Sequence, residues 1–206
     1  MLKIWGRASS TNVQKVLWCV GELGLPYERI DAGMEFGVND TPEFRRLNPN
    51  GLVPVIEHEG LTLWESHAIV RYLARQYGLG TLCPEDPRVC ADSDRWMDWC
   101  ATLGWPAMRA LFLGYIRTPA AQRDIAQLKT ARDIAARAMA LLDAHLRDRE
   151  HLVGAPFTMG DIPMGVVVHR WYKLPIEREP LENLARYYAT LKARPAFRLH
   201  ADVTLA

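Results

Sequence analysis

Metal-binding and redox motifs are the first things this chain lacks. Its four cysteines, at positions 19, 83, 90 and 100, make no C-x-x-C and no Cys/His pattern of ligand spacing, so neither a zinc site nor a dithiol redox motif is expected. Cysteines so few and scattered in 206 residues are no disulfide scaffold and imply a reducing, cytoplasmic setting. Long apolar runs are also missing. Stretches such as Val166-Val167-Val168 are far too short to span a bilayer, and Met1 to Arg7 shows no apolar stretch of signal-peptide length. Charge of one sign is missing as well: 25 Lys+Arg against 24 Asp+Glu leave +1. Nucleic-acid and polybasic membrane binders need a net or clustered positive field, so neither partner is expected. The histidines at 58, 67, 145, 151, 169 and 200 show no metal spacing, and no G-x-S-x-G occurs. No metal is therefore expected. No repeat or low-complexity segment is found. What remains is an ordinary globular composition, 49% hydrophobic and 24% charged, long enough for one large or two small domains.

The two parts of the chain read differently. Leu2 to Trp5 suits a strand, and Val13, Val16, Leu17 and Val20 mark a helix that Leu25-Pro26 stops. Tyr27 to Asp31 alternates as a second strand, which makes a right-handed βαβ unit. Pro42 to Leu47 reads as a short helix capped by Thr41. Val53–Glu57 and Leu61–Leu63 flank His58-Glu59-Gly60 as a hairpin, and Ala68, Ile69, Tyr72 and Leu73 mark a helix that Gly78 ends. The order is β-α-β-α-β-β-α. Glycines 78 and 80 and prolines 84 and 87 suggest a linker. No strand signal follows. Helical stripes run from Trp96 to Leu111, with a kink expected at Pro106, and from Ile125 to Leu146. Shorter helices fit 160–172 and 181–193. The expected domains are 1–79, a linker at 80–87, and an all-α domain at 88–206.

Three segments can carry chemistry. Ser9-Ser10-Thr11-Asn12 lies where the first helix begins. These are the preferred capping residues, yet a helix N-terminus also offers free N–H groups and a positive dipole end to an anion. Val53-Pro54 follows a glycine turn. A cis bond there turns the Val53 backbone groups outward to pair with a peptide-like ligand. Glu65-Ser66 opens the third helix, either as a cap with an acidic first turn or as a holder for an amino-acid head group. Thr158-Met159-Gly160-Asp161 reads as a structural capping box. Trp105 and Met108, beside Pro106, are either core or the lining of a cleft.

Together these stretches are more specific than any one of them. Ser10-Thr-Asn-Val-Gln-Lys, Asn48-Pro-Asn-Gly-Leu-Val-Pro-Val-Ile, Leu63-Trp-Glu-Ser-His-Ala-Ile-Val-Arg-Tyr-Leu and Phe157-Thr-Met-Gly-Asp-Ile resemble the soluble glutathione transferases, nearest to the serine-type theta- and phi-like classes, over nearly the whole chain. The resemblance implies a thioredoxin-like α/β domain followed by an all-helical one. It implies that Ser10, or Ser9 after a small register change, donates a hydrogen bond to the glutathione sulfur, with Asn12 in support. Val53 would pair with the cysteinyl part, with Pro54 cis, and Glu65 and Ser66 would bind the γ-glutamyl head. Position 52 is Leu where relatives often carry a charge for the glycine carboxylate, which leaves Asn39, Asn50, Arg45 or Arg46 for that contact. The resemblance further implies a homodimer and a second pocket at the domain interface, lined by Trp105 and Met108, for a small hydrophobic electrophile. The same site would also serve a glutathione-dependent isomerase, peroxidase, dehalogenase or ether-cleaving enzyme. A non-catalytic interaction module of this fold is the other reading.

Overall fold

The computed structural model describes every residue except Thr204 and Ala206. Its first half is one mixed sheet with helices on both faces. The strands are β1 (Leu2–Trp5), β2 (Tyr27–Ile30), β3 (Val55–His58) and β4 (Leu61–Trp64). Their order is β2-β1-β3-β4. β1 and β2 run parallel, with Leu2 opposite Tyr27. β1 and β3 are antiparallel, with Ile4 opposite Ile56, as are β3 and β4. Alternation places Leu2 and Ile4 in the core while Lys3 faces solvent.

Helix α1 (Thr11–Glu22) and helix α3 (Ser66–Tyr77) pack on one face of the sheet. Val13, Val16, Leu17, Ile69, Val70 and Leu73 are buried there. Helix α2 (Pro42–Leu47) covers the other face. Its Thr41 cap accepts from the Phe44 N–H at 3.2 Å, and Phe44 meets Trp5 edge-on with ring centroids 6.0 Å apart. The helix ends at Asn48, whose side chain bonds the Leu52 carbonyl and the Asn50 N–H. That turn leads straight into the Val53-Pro54 bond, which is cis.

The rest of the chain is helical: α4 (Pro87–Trp99), α5 (Trp105–Phe112), α6 (Ile125–His145), α7 (Asp161–Lys173), α8 (Glu182–Ala193) and α9 (Pro195–His200). The kink expected at Pro106 takes a definite form. A π-turn at Cys100–Gly104 joins α4 to α5, and a second at Leu113–Arg117 ends α5. Proline has no N–H to donate, and a wider turn absorbs the missing bond. Helix α9 was not legible as a separate element.

The halves meet along α1 and α7. Trp18 is fully buried, with Phe157 and Phe197 at 5.6 and 4.9 Å between ring centroids. Helix α7 passes so close that a Cβ on Gly165 would stand 2.7 Å from Trp18 and Leu191 atoms. Burying an indole in this way stabilises the docking by about 3 kcal/mol. Asp161 organises the approach to α7. Its carboxylate accepts from the Leu152 N–H (3.0 Å), the Thr158 N–H (2.8 Å) and the Tyr187 hydroxyl (3.0 Å). The capping box is therefore a buried hub as well as a helix start.

Candidate functional site

The β1–α1 loop delivers Ser10 to the first turn of α1. Its backbone caps the helix, since the Gln14 N–H donates to the Ser10 carbonyl at 2.9 Å. Its hydroxyl makes no capping bond, although Ser10 is buried except for 7% of its surface. The hydroxyl is therefore available to a ligand. The N–H groups of Thr11, Asn12 and Val13 have no protein acceptor among the described residues, and the first turn carries no acidic side chain. An uncompensated positive helix end thus faces the cleft.

Two buried cations lie behind that turn, and sequence reasoning gave neither a role. Lys15 is 3% exposed. Its ammonium donates to Asn12 Oδ1 (3.0 Å) and to His67 Nε2 (3.1 Å), with no ion pair to a carboxylate among the described residues. Burial lowers its pKa. Because Lys15 is a donor only, His67 accepts through Nε2 and is neutral. Burial, then the Lys15 and Arg71 charges, hold the His67 pKa down to about 3. With Asn12 Oδ1 taken by Lys15, the Asn12 amide N–H groups are left for the cleft. Arg170 reaches from α7 to Gln14 Oε1 at 2.8 Å, and burial lowers its pKa to about 9. Its guanidinium lies over Phe112 and Trp105, 5.4 and 6.0 Å from the ring centroids. Cations so weakly solvated project their field further than surface charges do. A mid-helix Lys next to caps, and an Arg inside an apolar helix, were the available signals.

A narrow cleft of about 100 Å³ is lined by Asn12, Asn48, Leu52, Val53, Pro54, Glu65 and Ser66. The Val53 N–H and C=O engage no protein hydrogen bond among the described residues. Glu65 takes φ +71°, ψ +111° and makes no capping bond. A non-glycine residue there costs about 1–3 kcal/mol and is most often found where a ligand needs the side chain aimed. Ser66 is 4% exposed.

A wider cleft of about 660 Å³ opens next to it. Its walls include Ser9, Ser10, Thr11 and Asn12 from the sheet half, and Trp105, Phe112 and Leu113 from the helical half. Arg7, Arg109 and Arg117 line it too, and among the described residues no carboxylate does. Asn12 is common to both clefts. The structure thus brings Ser9, Ser10, Asn12, Val53, Pro54, Glu65, Ser66 and Trp105 into one continuous groove.

Three expected residues fall outside it. Met108 is fully buried, because the turn of α5 after Trp105 faces the helical core, so it does not line the cleft. Asn39 spends its amide on the Gly51 carbonyl at 2.9 Å, and Asn50 spends its own on Asn48 at 2.9 Å. Both stabilise the loops around α2 and lie away from the lining. Arg45 and Arg46 bind Asp40 and Glu43. No group of acidic, Cys and His residues suited to a metal ion occurs among the described residues. Cys19 is buried within α1, and burial pushes its thiol pKa up, so it is no redox nucleophile.

Comparison with known proteins bears on the groove as a whole. Residues 1–75 match the sequence model of the glutathione S-transferase N-terminal domain, and residues 119–190 that of the C-terminal domain. Glutathione S-transferase GstB of Escherichia coli K12 is 42% identical over 200 residues, covering 96% of each chain. This chain belongs to the glutathione S-transferase family. Among solved structures, the theta class glutathione S-transferase of Xanthomonas axonopodis pv. citri, with glutathione bound, superposes with a TM-score of 0.96 at 45% identity, covering 100% of this chain and 99% of that one. Glutathione S-transferase F14 of Arabidopsis thaliana is 30% identical over 206 residues, covering 94% of this chain and 78% of that one. The thioredoxin-like domain followed by an all-α domain is the architecture that family membership requires.

Proposed function

We propose that this glutathione S-transferase binds glutathione along the narrow cleft and adds its thiolate to an electrophile held in the wider one. The carrying observation is the unused hydroxyl of a nearly buried Ser10 at an uncompensated helix N-terminus. In this reading the γ-glutamyl ammonium lies on Glu65 and its carboxylate at Ser66 and the α3 N-terminus. The cysteinyl backbone pairs with Val53, and the sulfur reaches Ser10 past Asn12. The nucleophile is the thiolate of glutathione, and the serine only donates to it.

The energetics are modest. A thiol of ordinary pKa, about 8.5, is a few per cent ionised at pH 7. Lowering it to about 6.5 takes roughly 2.7 kcal/mol of preference for the thiolate. One charge-assisted hydrogen bond supplies about 1.5–3 kcal/mol, and helix-end donors add to it. Lys15 and Arg170 contribute a field of the same sign without contact. A less basic thiolate is also less nucleophilic, so most of the acceleration comes from holding the electrophile near the sulfur. Trp105, Phe112 and Leu113 supply the apolar wall for it. We further infer a cytoplasmic homodimer, which sedimentation of the purified protein tests.

The test of the reading is a calorimetric titration with glutathione, followed by a conjugation panel that includes hydroperoxides. Saturable binding with turnover of alkyl or aryl halides supports conjugation. Turnover of hydroperoxides alone moves the protein to a peroxidase role. No binding returns it to the interaction-module alternative.

A further inference from the structure

We propose that Arg170 and Gln14 are positioning residues for the thiol: through one chain of hydrogen bonds that crosses between the two halves, helix α7 holds in place the loop that presents Ser10 to the glutathione sulfur. The inference rests on the glutathione reading above and assigns what sets the geometry of its serine.

The chain starts in the helical half. Arg170 is buried. Its Nη1 donates to the Val166 carbonyl, one turn back on α7, at 3.1 Å, and its Nη2 donates to Gln14 Oε1 at 2.8 Å. Gln14 is buried as well, and its Nε2 donates to the Ala8 carbonyl at 3.1 Å. Ala8 and Ser9 form the turn immediately before Ser10. The Ala8 carbonyl receives no backbone N–H among the described residues, so the Gln14 side chain supplies the bond that restrains it. A side-chain amide can offer a neighbour either its oxygen or its nitrogen. A guanidinium only donates, so Arg170 leaves Gln14 one orientation: oxygen to α7, nitrogen to Ala8.

Docking of the halves does not itself call for a charge here. Trp18 already fills the junction between them, and a buried charge carries a desolvation cost that an apolar residue avoids. An apolar side chain, however, cannot orient an amide. The same guanidinium lies over Phe112 and Trp105, two walls of the wider cleft. Arg170 therefore meets the electrophile wall with its face and the serine loop, through Gln14, with its edge. It keeps the two sides of the groove in register. A hydrogen bond to the sulfur weakens steeply with distance and angle, and a misplacement of about 1 Å at a reacting centre costs up to about 100-fold in rate.

The test separates position from charge. Gln14→Met cuts the chain but leaves the Arg170 charge in place, whereas Arg170→Met removes both. Gln14→Leu makes the same cut as Gln14→Met and is read in the same way. Ionisation of the bound thiol is followed by ultraviolet absorbance across the pH range. S-methylglutathione, which has no thiol to ionise, reports tripeptide binding and an intact fold by calorimetry. Gln14→Met is expected to raise the midpoint of the bound thiol by about one unit, which leaves about tenfold less thiolate below the wild-type midpoint. The Kd for S-methylglutathione and the KM for the electrophile should stay within about twofold. Arg170→Met should raise the midpoint at least as far, and should also raise the KM, because it loses the contact with Trp105 and Phe112. The double variant should match Arg170→Met, since a chain already cut cannot be cut again. Arg170→Lys keeps the charge and a donor but not the fork, and should fall between Arg170→Met and the wild type. A midpoint raised in Arg170→Met but unmoved in the Gln14 variants assigns Arg170 to its field alone and overturns the inference. Shifts that add in the double variant overturn it too, and so does a loss of S-methylglutathione binding that accounts for the whole loss of activity. In each of these cases the wild type still binds and ionises glutathione, and the glutathione reading stands. A wild type that binds neither glutathione nor S-methylglutathione fails that reading first, and the inference falls with it.

Discussion

Replacing Ser10 with Ala isolates one hydrogen bond. The substitution is unusually clean because the hydroxyl does no structural work. An N-cap serine typically contributes about 0.5–2 kcal/mol through its capping bond. Ser10 makes no such bond, and the backbone bond from Gln14 survives in Ala. The melting temperature should therefore move by less than about 2 °C. Losing a charge-assisted bond of about 1.5–3 kcal/mol raises the bound thiol's pKa by about 1–2 units. Below the wild-type midpoint each unit removes about tenfold of the thiolate. A Brønsted slope of about 0.4–0.5 returns part of that, so the net loss at acid pH is about 3–15-fold. Above the variant's midpoint the more basic thiolate reacts as fast as in the wild type, or faster. The assay is kcat/KM for a halide electrophile across the pH range, in the wild type, Ser10→Ala and Ser9→Ala. A midpoint displaced upward only in Ser10→Ala is the expected result. Equal midpoints in all three would refute the serine mechanism, and displacement in Ser9→Ala alone would hand the role to its neighbour.

Other predictions concern binding and stability. Glu65→Gln keeps the shape but loses the anion that meets an ammonium, so the Kd for glutathione should rise by about tenfold or more in a calorimetric titration. Asp161→Ala strands the buried Leu152 and Thr158 N–H groups and the Tyr187 hydroxyl. At about 1–3 kcal/mol for each unpaired group, a urea melt should show a loss of about 3–5 kcal/mol. His67 stays neutral in the folded protein down to about pH 3, because burial and the Lys15 charge depress its pKa from 6.5. Unfolding frees it to bind a proton at any pH below 6.5. Its contribution to stability is complete above that pH and falls away as pH drops toward 3. His67→Gln should accordingly flatten the decline of melting temperature over that acid window.

The parts of the fold that were legible in the sequence are those where local chemistry and tertiary packing agree. Pro42 to Leu47, with its Thr41 cap, forms as read. So does the parallel pairing of β1 and β2 around a single helix. The first helix was visible from its apolar spacing, and Val53-Pro54 from its turn. Strand β3 begins at Val55 instead of Val53, because Pro54 has no N–H to give to the ladder and the pairing with β1 starts only after it. What stayed hidden depended on distant residues. Their place beside Pro106 put Trp105 and Met108 forward together, yet the π-turn before α5 fixes the helix phase so that Trp105 faces the cleft and Met108 the core. The roles of Lys15 and Arg170 were invisible for a similar reason. A charged residue on an apolar face reads as an anomaly until Asn12, His67 and Gln14 are seen to receive it. Arg7, Arg109 and Arg117 are more than a hundred positions apart at the extremes and become a cluster only once the two halves dock.

Ultraviolet titration of the thiolate in the wild-type complex with glutathione addresses the helix-end site without the second substrate. The bound sulfur is expected to ionise near pH 6.5, about two units below the free thiol. Ionisation of saturably bound glutathione at the free-thiol pH would mean that neither the hydroxyl nor the helix end touches the sulfur.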